Sequence, residues 1–149
     1  KGMFVLVKTS NESSGELQNQ ELEGGETIYA TMGQLCEQWG EHLPGRYGYS
    51  GVGAVVGATY PQQLQELRKS LPHTFFLVPG YGAQGGGAAD VAWGFDANGP
   101  GAVVNSSRAI LCAWQKEQCR AEDFAQAARR EAERMRDDIV RHVGAIRLP

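Results

Sequence analysis

The sequence lacks the features that mark membrane-spanning, metal-binding and nucleic-acid-binding proteins. Its 149 residues contain no apolar run near the roughly 20 residues that a transmembrane helix needs. The net charge of −3 leaves no excess of positive charge for nucleic acid, so we expect neither a membrane nor a nucleic acid as a partner. Cys36, Cys112 and Cys119 form no C-x-x-C pair, which predicts no metal site and a reducing, cytoplasmic compartment.

The apolar runs that are present are short and bounded by turn residues, as is typical of strands buried on both faces. Four such strands are predicted, over residues 2–7, 51–58, 74–78 and 102–104. They alternate with segments of helical periodicity, and this alternation favours a parallel sheet with crossover helices. The fold class is therefore α/β.

Three helices are predicted between and after these strands. The first follows Thr27 and ends at Gly40, the second begins at Pro61, and the third covers residues 124–143. The residues expected to face the core are Ile28, Met32, Leu35 and Trp39 in the first, Leu64, Leu67 and Leu71 in the second, and Phe124, Ala128, Ala132, Met135, Ile139 and Val143 in the third. The charges of the third helix, Glu131 and Arg134 among them, are expected to form a solvated face.

Every polar, glycine-rich or serine-rich segment follows the carboxyl end of a predicted strand. These segments are residues 9–11, Thr59, 79–87 and 105–108. In a (β/α)8 TIM barrel this end carries the active site, and the loops after the last two strands commonly bind phosphate. We therefore interpret residues 1–149 as one unit that forms the C-terminal half of such a barrel. A flavodoxin-like open sheet is the alternative, and the uncovered first strand suggests a piece of a larger protein.

The two final loops have the composition of an anion-binding site. Five glycines between Gly80 and Gly87 leave backbone N–H groups uncovered, and Arg108 is a planar, permanently charged fork suited to phosphate. Residues 80–85 also fit the dinucleotide pattern G-x-G-x-x-G, although the next strand is followed by Asn105 instead of an acid. A dinucleotide site and a glycine-rich turn without a ligand remain alternatives.

The two loops also resemble a known enzyme family. Residues 77–86, LVPGYGAQGG, and 104–110, VNSSRAI, are similar to the C-terminal half of orotidine 5′-phosphate decarboxylase, in particular its longer bacterial branch. Residues 8–11, KTSN, and 51–59, GVGAVVGAT, support the resemblance. It implies a cofactor-independent carboxy-lyase of pyrimidine biosynthesis, a homodimer, which converts orotidine monophosphate to uridine monophosphate and CO2.

The resemblance assigns binding roles to five residues of this chain. It implies that Ser10 hydrogen-bonds the amide edge of the pyrimidine, that Pro79 forms part of the wall of the pyrimidine pocket, and that Gln84 closes over the ring and phosphate.

For the phosphate, the resemblance implies a grip by Arg108 and the backbone N–H of Ser107. We also expect the backbone around Gly86 to contribute donors to this phosphate site, because that glycine belongs to the same loop.

The catalytic cluster of the family is absent from this sequence. The resemblance calls for an Asp-x-Lys-x-x-Asp motif, and none surrounds Lys1, Lys8, Lys69 or Lys116. Lys8 lies close to Ser10 but occupies a strand and has no acidic neighbour in sequence, so we expect it not to be catalytic. The catalytic residues are expected on a missing N-terminal half. A non-catalytic half-barrel that keeps a phosphate site, or another phosphosugar barrel such as an isomerase or aldolase, are the alternatives.

Overall fold

The computed structural model describes residues 1–82, 85–145 and 147, and its centre is a four-stranded parallel sheet. The strands are β1 (Met3–Lys8), β2 (Val52–Val56), β3 (Phe76–Pro79) and β4 (Ala102–Asn105). They pair in the order in which they occur in the chain. All four carboxyl ends therefore meet at one edge of the sheet, which confirms the predicted pairing and the shared position of the loops.

Helices connect the strands and follow the last one. They are α1 (Gly15–Gln18), α2 (Ile28–Gly40), α3 (Pro61–Ser70), α4 (Ala88–Ala92), α5 (Ser107–Leu111), α6 (Ala113–Lys116) and α7 (Phe124–Val143). The three predicted helices are confirmed as α2, α3 and α7. Among the described residues, no helix is both long enough and apolar enough to cross a membrane.

In two of these helices, a nearby side chain accepts a hydrogen bond from a backbone N–H group at the start of the helix. Thr27 caps α2, where its Oγ1 accepts a hydrogen bond from the N–H of Ala30 at 3.4 Å. The short helix α4 begins directly after the glycine-rich stretch that ends at Gly87. Its first turn is fixed because Asp90 Oδ2 accepts a hydrogen bond from the N–H of Gly87 at 2.8 Å.

The core lies between the sheet and the helices packed on one of its faces. Leu64, Leu67 and Leu71 are almost fully buried against the sheet, as predicted. Helix α2 approaches α3 closely at Gly33, where an added Cβ would lie 3.0 Å from methyl groups of Leu67 and Leu71. A small residue is needed at this crossing because the interior is already close-packed.

The predicted core faces of α2 and α7 are partly wrong. In α2 the buried residues are Gly33, Cys36 and Gly40, whereas Trp39 is 47% exposed. The smallest residues face inward because α2 packs so close to the rest of the core. The larger side chains that were predicted to face the core therefore lie toward the edge of the contact between α2 and the core.

In α7 the buried face comprises Ala127, Glu131, Met135 and Ile139, so only the second half of the predicted stripe is right. Phe124 is 54% exposed. Glu131 was expected in solvent, but it is buried because its carboxylate accepts two hydrogen bonds from Arg134, at 2.8 and 2.6 Å. A buried carboxylate that is paired with an exposed arginine does not show in an apolar pattern.

The opposite face of the sheet is apolar and largely uncovered. Leu6 pairs with Val55, Val55 with Leu77, and Leu77 with Val103, so these side chains form one row across the four strands. The outer two are 63% and 45% exposed, and Phe4, two residues before Leu6, is 48% exposed.

Candidate functional site

A small polar cavity lies where the carboxyl ends of β3 and β4 meet. Its volume is about 160 Å³. The residues that line it are Pro79, Gly80, Tyr81, Asn105, Ser106, Ser107 and Arg108. Pro79 and Asn105 are paired across the two strands, so the sheet itself brings the two loops together.

The glycine-rich loop holds its shape by backbone hydrogen bonds. Gly80, Gly82 and Gly85 have positive φ angles of 102°, 78° and 97°, a region that favours glycine. The N–H of Gly82 donates to the carbonyl of Gly86 at 2.8 Å, and the N–H of Gly85 donates to that of Gly82 at 2.9 Å. The glycine-dense sequence is therefore a requirement of this turn as well as a candidate for ligand approach.

A side chain of the loop after β4 links that loop to the glycine-rich loop after β3. Ser106 is buried, and its Oγ donates to the carbonyl of Tyr81 at 3.0 Å. Ser107 then begins α5, and both Ser107 and Arg108 are exposed at the cavity. The ion pairs found in the described part of the chain do not include Arg108. Its guanidinium is thus placed to meet an anion from solution.

Gly86 lies beside this cavity and does not line it. Its N–H donates to the carbonyl of Gly80 at 3.2 Å, and it borders a neighbouring cavity of about 310 Å³ together with Ala58, Thr59 and Asp90. To donate to a phosphate, the N–H of Gly86 would have to give up its hydrogen bond to the carbonyl of Gly80. Gln84, the predicted closing residue, lies outside the described residues.

Ser10 lies at the same edge of the sheet, on the β1 side. Its carbonyl accepts a hydrogen bond from Thr59 Oγ1 at 3.0 Å, and Thr59 borders the cavity next to Gly86. Of the predicted site residues, the structure brings Pro79, Ser107 and Arg108 into one cavity. Gly86 borders the neighbouring cavity, and Ser10 is bonded to Thr59, which borders that cavity too.

Two contacts near the site were not predicted. Tyr81 is buried, and its hydroxyl donates to Asp138 Oδ2 on α7 at 2.8 Å. Burial and this carboxylate raise the pKa of the Tyr81 phenol. The contact anchors the glycine-rich loop to the final helix. Its two partners are 57 residues apart, so no local pattern could reveal it.

Lys8 is the second unexpected feature. It is fully buried, and its Nζ donates to Ser14 Oγ at 3.1 Å and to Asn19 Oδ1 at 3.0 Å. The alternation of side chains along β1 gave no sign of this burial. In the part of the chain that the structure describes, no group of three His, Cys, Asp or Glu side chains is placed to hold a metal ion.

The curated proteins to which this chain is similar share one name. No family model matches the chain. It is 55% identical over 117 residues to the orotidine 5′-phosphate decarboxylase of Rhodopirellula baltica, covering 78% of this chain and 38% of that protein. It is 46% identical over 145 residues to the enzyme of the same name from Clostridium tetani, covering 97% of this chain and 50% of that protein. The chain therefore spans half the length or less of these relatives.

Solved structures of similar fold carry the same name. A putative orotidine-monophosphate decarboxylase from Toxoplasma gondii superposes with a TM-score of 0.74 at 32% identity, over 97% of this chain and 52% of that one. A putative orotidine 5′-phosphate decarboxylase from Streptomyces avermitilis gives 0.71 at 33% identity, over 97% and 46%. These proteins are TIM barrels, so the predicted half-barrel is confirmed and the flavodoxin-like alternative is set aside. In sequence and in fold, the chain is a homologue of the orotidine 5′-phosphate decarboxylases over about half of their length, consistent with their C-terminal half.

Proposed function

We propose that the protein containing this chain is an orotidine 5′-phosphate decarboxylase, and that this chain supplies its phosphate- and pyrimidine-binding loops. The observation that carries the proposal is the cavity between the β3 and β4 loops, with Arg108 exposed at its rim. The same two loops contain the motifs that resemble the family. The reaction converts orotidine monophosphate to uridine monophosphate and CO2.

The phosphate end of the substrate fits the chemistry of this cavity. A phosphate monoester is close to doubly charged at neutral pH and offers three acceptor oxygens. The guanidinium of Arg108 presents paired N–H donors in a planar fork, which is the geometry that phosphate oxygens accept. Ser107 adds a hydroxyl and a backbone N–H at the same rim. The cavity of about 160 Å³ is large enough for a phosphate group but not for a whole nucleotide.

The ring of the substrate is proposed to lie across the carboxyl ends of the strands, from β3 toward β1. Pro79 contributes an apolar wall, Ser10 hydrogen-bonds the amide edge of the pyrimidine, and Gln84 closes over the ring and phosphate. Support comes from the placement of Pro79 and Ser10 at one edge of the sheet, with Thr59 bonded to the Ser10 carbonyl between them.

The chemical step needs groups that this chain does not carry. When the bond from C6 of the pyrimidine to its carboxylate breaks, the electron pair remains on C6 and must receive a proton as CO2 leaves. A positioned ammonium stabilises that developing charge and supplies the proton, and preorganised electrostatics of this kind is usually the largest catalytic contribution. We propose that an Asp-x-Lys-x-x-Asp cluster on another segment provides it.

The uncovered face of the sheet also supports the proposal that another segment completes the protein. Phe4, Leu6 and Val103 expose apolar surface on the side away from the helices. In a closed (β/α)8 barrel this face is the packed interior, filled by side chains from all eight strands. We propose that the N-terminal half of the barrel covers it, and that the complete protein forms a homodimer.

Titration with the reaction product separates phosphate binding from chemistry. In the full polypeptide that contains this chain, Arg108→Ala should weaken binding of uridine monophosphate about tenfold to hundredfold, because hydrogen bonds to a charged group contribute about 1.5–3 kcal/mol. Arg46→Ala is the matched control: Arg46 is exposed in the loop before β2, at the opposite end of the strands. Equal affinities of the Arg108 variant and the wild type, measured by calorimetry, would refute the assignment.

A further inference from the structure

Lys8 is the largest of the fully buried side chains in the described part of the protein. An ammonium group removed from water is destabilising unless other groups replace its hydration. Here the replacements are all neutral. Ser14 and Asn19 accept hydrogen bonds from Nζ, and the rings of Tyr60 and Tyr29 lie 4.3 and 5.9 Å from it. Both rings present π electrons to the cation.

A shift in the register of the sheet directs the Lys8 side chain to the helix side of the sheet. Leu6 pairs with Val55, and Lys8 already pairs with Val56, so the regular alternation along β1 is broken between them. Leu6 is exposed on the uncovered face, whereas Nζ of Lys8 reaches Tyr29 of α2. The ammonium therefore lies behind the loop that carries Ser10, on the helix side of the sheet. It does not lie on the uncovered face, which the N-terminal half of the barrel is proposed to cover.

From this position a chain of hydrogen bonds runs back to the residue next to Ser10. Nζ of Lys8 donates to Ser14 Oγ, Ser14 Oγ donates to the hydroxyl of Tyr60 at 3.4 Å, and that hydroxyl donates to the carbonyl of Asn11 at 3.2 Å. The ammonium can only donate, so it sets the direction of every hydrogen bond in the chain.

The loop is held from its other side as well. Thr59 Oγ1 donates to the carbonyl of Ser10, and the N–H of Gly57 donates to the carbonyl of Lys8 at 2.7 Å. An added Cβ on Gly57 would lie 2.8 Å from the backbone N of Ser10. Ser10 is thus enclosed between the end of β2 and the chain of hydrogen bonds that begins at Lys8.

We propose that Lys8 is a positioning residue, whose buried ammonium orients the Ser14–Tyr60–Asn11 relay and so fixes Ser10 for the pyrimidine ring. The proposal rests on the proposed function, because it assumes that Ser10 contacts the ring. Lys8 itself touches no reacting atom. It acts through the loop, and it should influence recognition of the ring without influencing the grip on the phosphate.

Binding of two ligands to the full polypeptide tests this role. Lys8→Met keeps an apolar stem of similar length and removes the ammonium, and Tyr60→Phe breaks the relay while leaving the ammonium in place. Each should weaken binding of uridine monophosphate about fivefold, the loss expected for one hydrogen bond to a neutral group. Neither should change the affinity for ribose 5-phosphate, which has no pyrimidine ring. Lys69→Met, at an exposed lysine of α3, is the matched control.

A double-mutant cycle adds a readout that a purely structural role would not reproduce. If Lys8 acts through Ser10, the double variant Lys8→Met/Ser10→Ala should bind uridine monophosphate no more weakly than Ser10→Ala alone. Equal losses for both ligands, additive losses in the cycle, or unchanged binding in both Lys8→Met and Tyr60→Phe would overturn the positioning role. A wild-type protein without affinity for uridine monophosphate would instead overturn the proposed function itself. Should Lys8→Met fail to fold, Tyr60→Phe decides alone.

Discussion

Two buried cations lie at opposite ends of the sheet, and both donate their hydrogen bonds to neutral oxygen atoms. Lys8 lies at the carboxyl end, where two side-chain oxygens accept from its ammonium. At the amino end, the guanidinium of Arg68 donates to the carbonyls of Leu71, Thr74 and Gly101 and lies 4.2 Å from the centre of the Phe76 ring. Burial lowers the pKa of both cations, and the hydrogen bonds offset part of their desolvation.

The thiol of Cys36 provides a measurable pH dependence of stability. Cys36 is fully buried, and burial, with a smaller contribution from Glu37, raises its pKa from 9.0 to about 11. The folded state therefore keeps a proton that the unfolded state releases first. The stabilisation is fully present below pH 9 and is lost as the pH rises toward 11.

Chemical denaturation of the full polypeptide and of its Cys36→Ala variant, at a series of pH values, measures this effect. We expect the difference in unfolding free energy, wild type minus variant, to be constant up to about pH 9 and to fall above it. All other ionisable groups are common to both proteins, so their contributions cancel in the difference. A difference that stays constant through pH 11 would contradict the account.

At the scale of elements, β2 is built to let its neighbours approach. An added Cβ on Gly53 would lie 2.6 Å from the Phe4 ring, and one on Gly57 would lie 2.8 Å from the backbone of Ser10. The ring can move aside, but backbone atoms have less freedom: at Gly53 the carbonyl oxygen of Phe75 also lies 2.7 Å away, and at Gly57 the Ser10 loop is held by hydrogen bonds. Gly57 therefore determines how closely the Ser10 loop lies against the end of β2.

Substitution of Gly57 by alanine should displace the Ser10 loop. We expect Gly57→Ala in the full polypeptide to lower the unfolding free energy by about 1–3 kcal/mol, the usual consequence of overpacking. Binding of uridine monophosphate should weaken in parallel. Gly24→Ala is the control, because no atom lies within 4 Å of the Cβ position there. Equal stability and affinity in the two variants would show that the loop is not held against β2.

The strands and long helices were predictable because each is encoded within a few neighbouring residues. Short apolar runs gave β1 to β4, and Thr27, Gly40 and Pro61 marked helix ends that the structure reproduces. The inner face of α7 was predicted only in part, because the buried Glu131 depends on its pairing with Arg134. Apolar periodicity does not report such a pair.

The candidate site was predictable to a similar degree. The placement of loops after strands brought Pro79, Ser107 and Arg108 together, since parallel strands share an edge. The burial of Lys8 was not predictable, because it depends on the register shift after Leu6 and on Tyr60, which lies 52 positions away in the chain. Contacts of that kind arise only when the chain is folded.

At the scale of the whole molecule, the apolar face of the sheet supports the proposal that a further segment packs against this chain. Large exposed apolar patches mark surfaces that pack against a partner. Phe4, Leu6 and Val103 contribute to such a face, and the chain spans half the length or less of its relatives from R. baltica and C. tetani.

The isolated 149-residue chain should not decarboxylate orotidine monophosphate. In their proposed roles Ser10 and Arg108 orient the ring and hold the phosphate, but neither can deliver a proton to carbon at neutral pH. The assay follows loss of substrate absorbance after circular dichroism has established that the chain is folded. Turnover by the isolated chain that disappears in Lys8→Ala would show that Lys8 is catalytic, contrary to the position found for its ammonium.

Steady-state decarboxylation by the full polypeptide tests the central claim most directly. We predict that it converts orotidine monophosphate to uridine monophosphate, that Arg108→Ala lowers kcat/KM about tenfold to hundredfold through the lost phosphate contact, and that Arg46→Ala leaves it unchanged. No turnover by a folded wild-type protein, or turnover with the same kcat/KM in the Arg108 variant, would contradict the account.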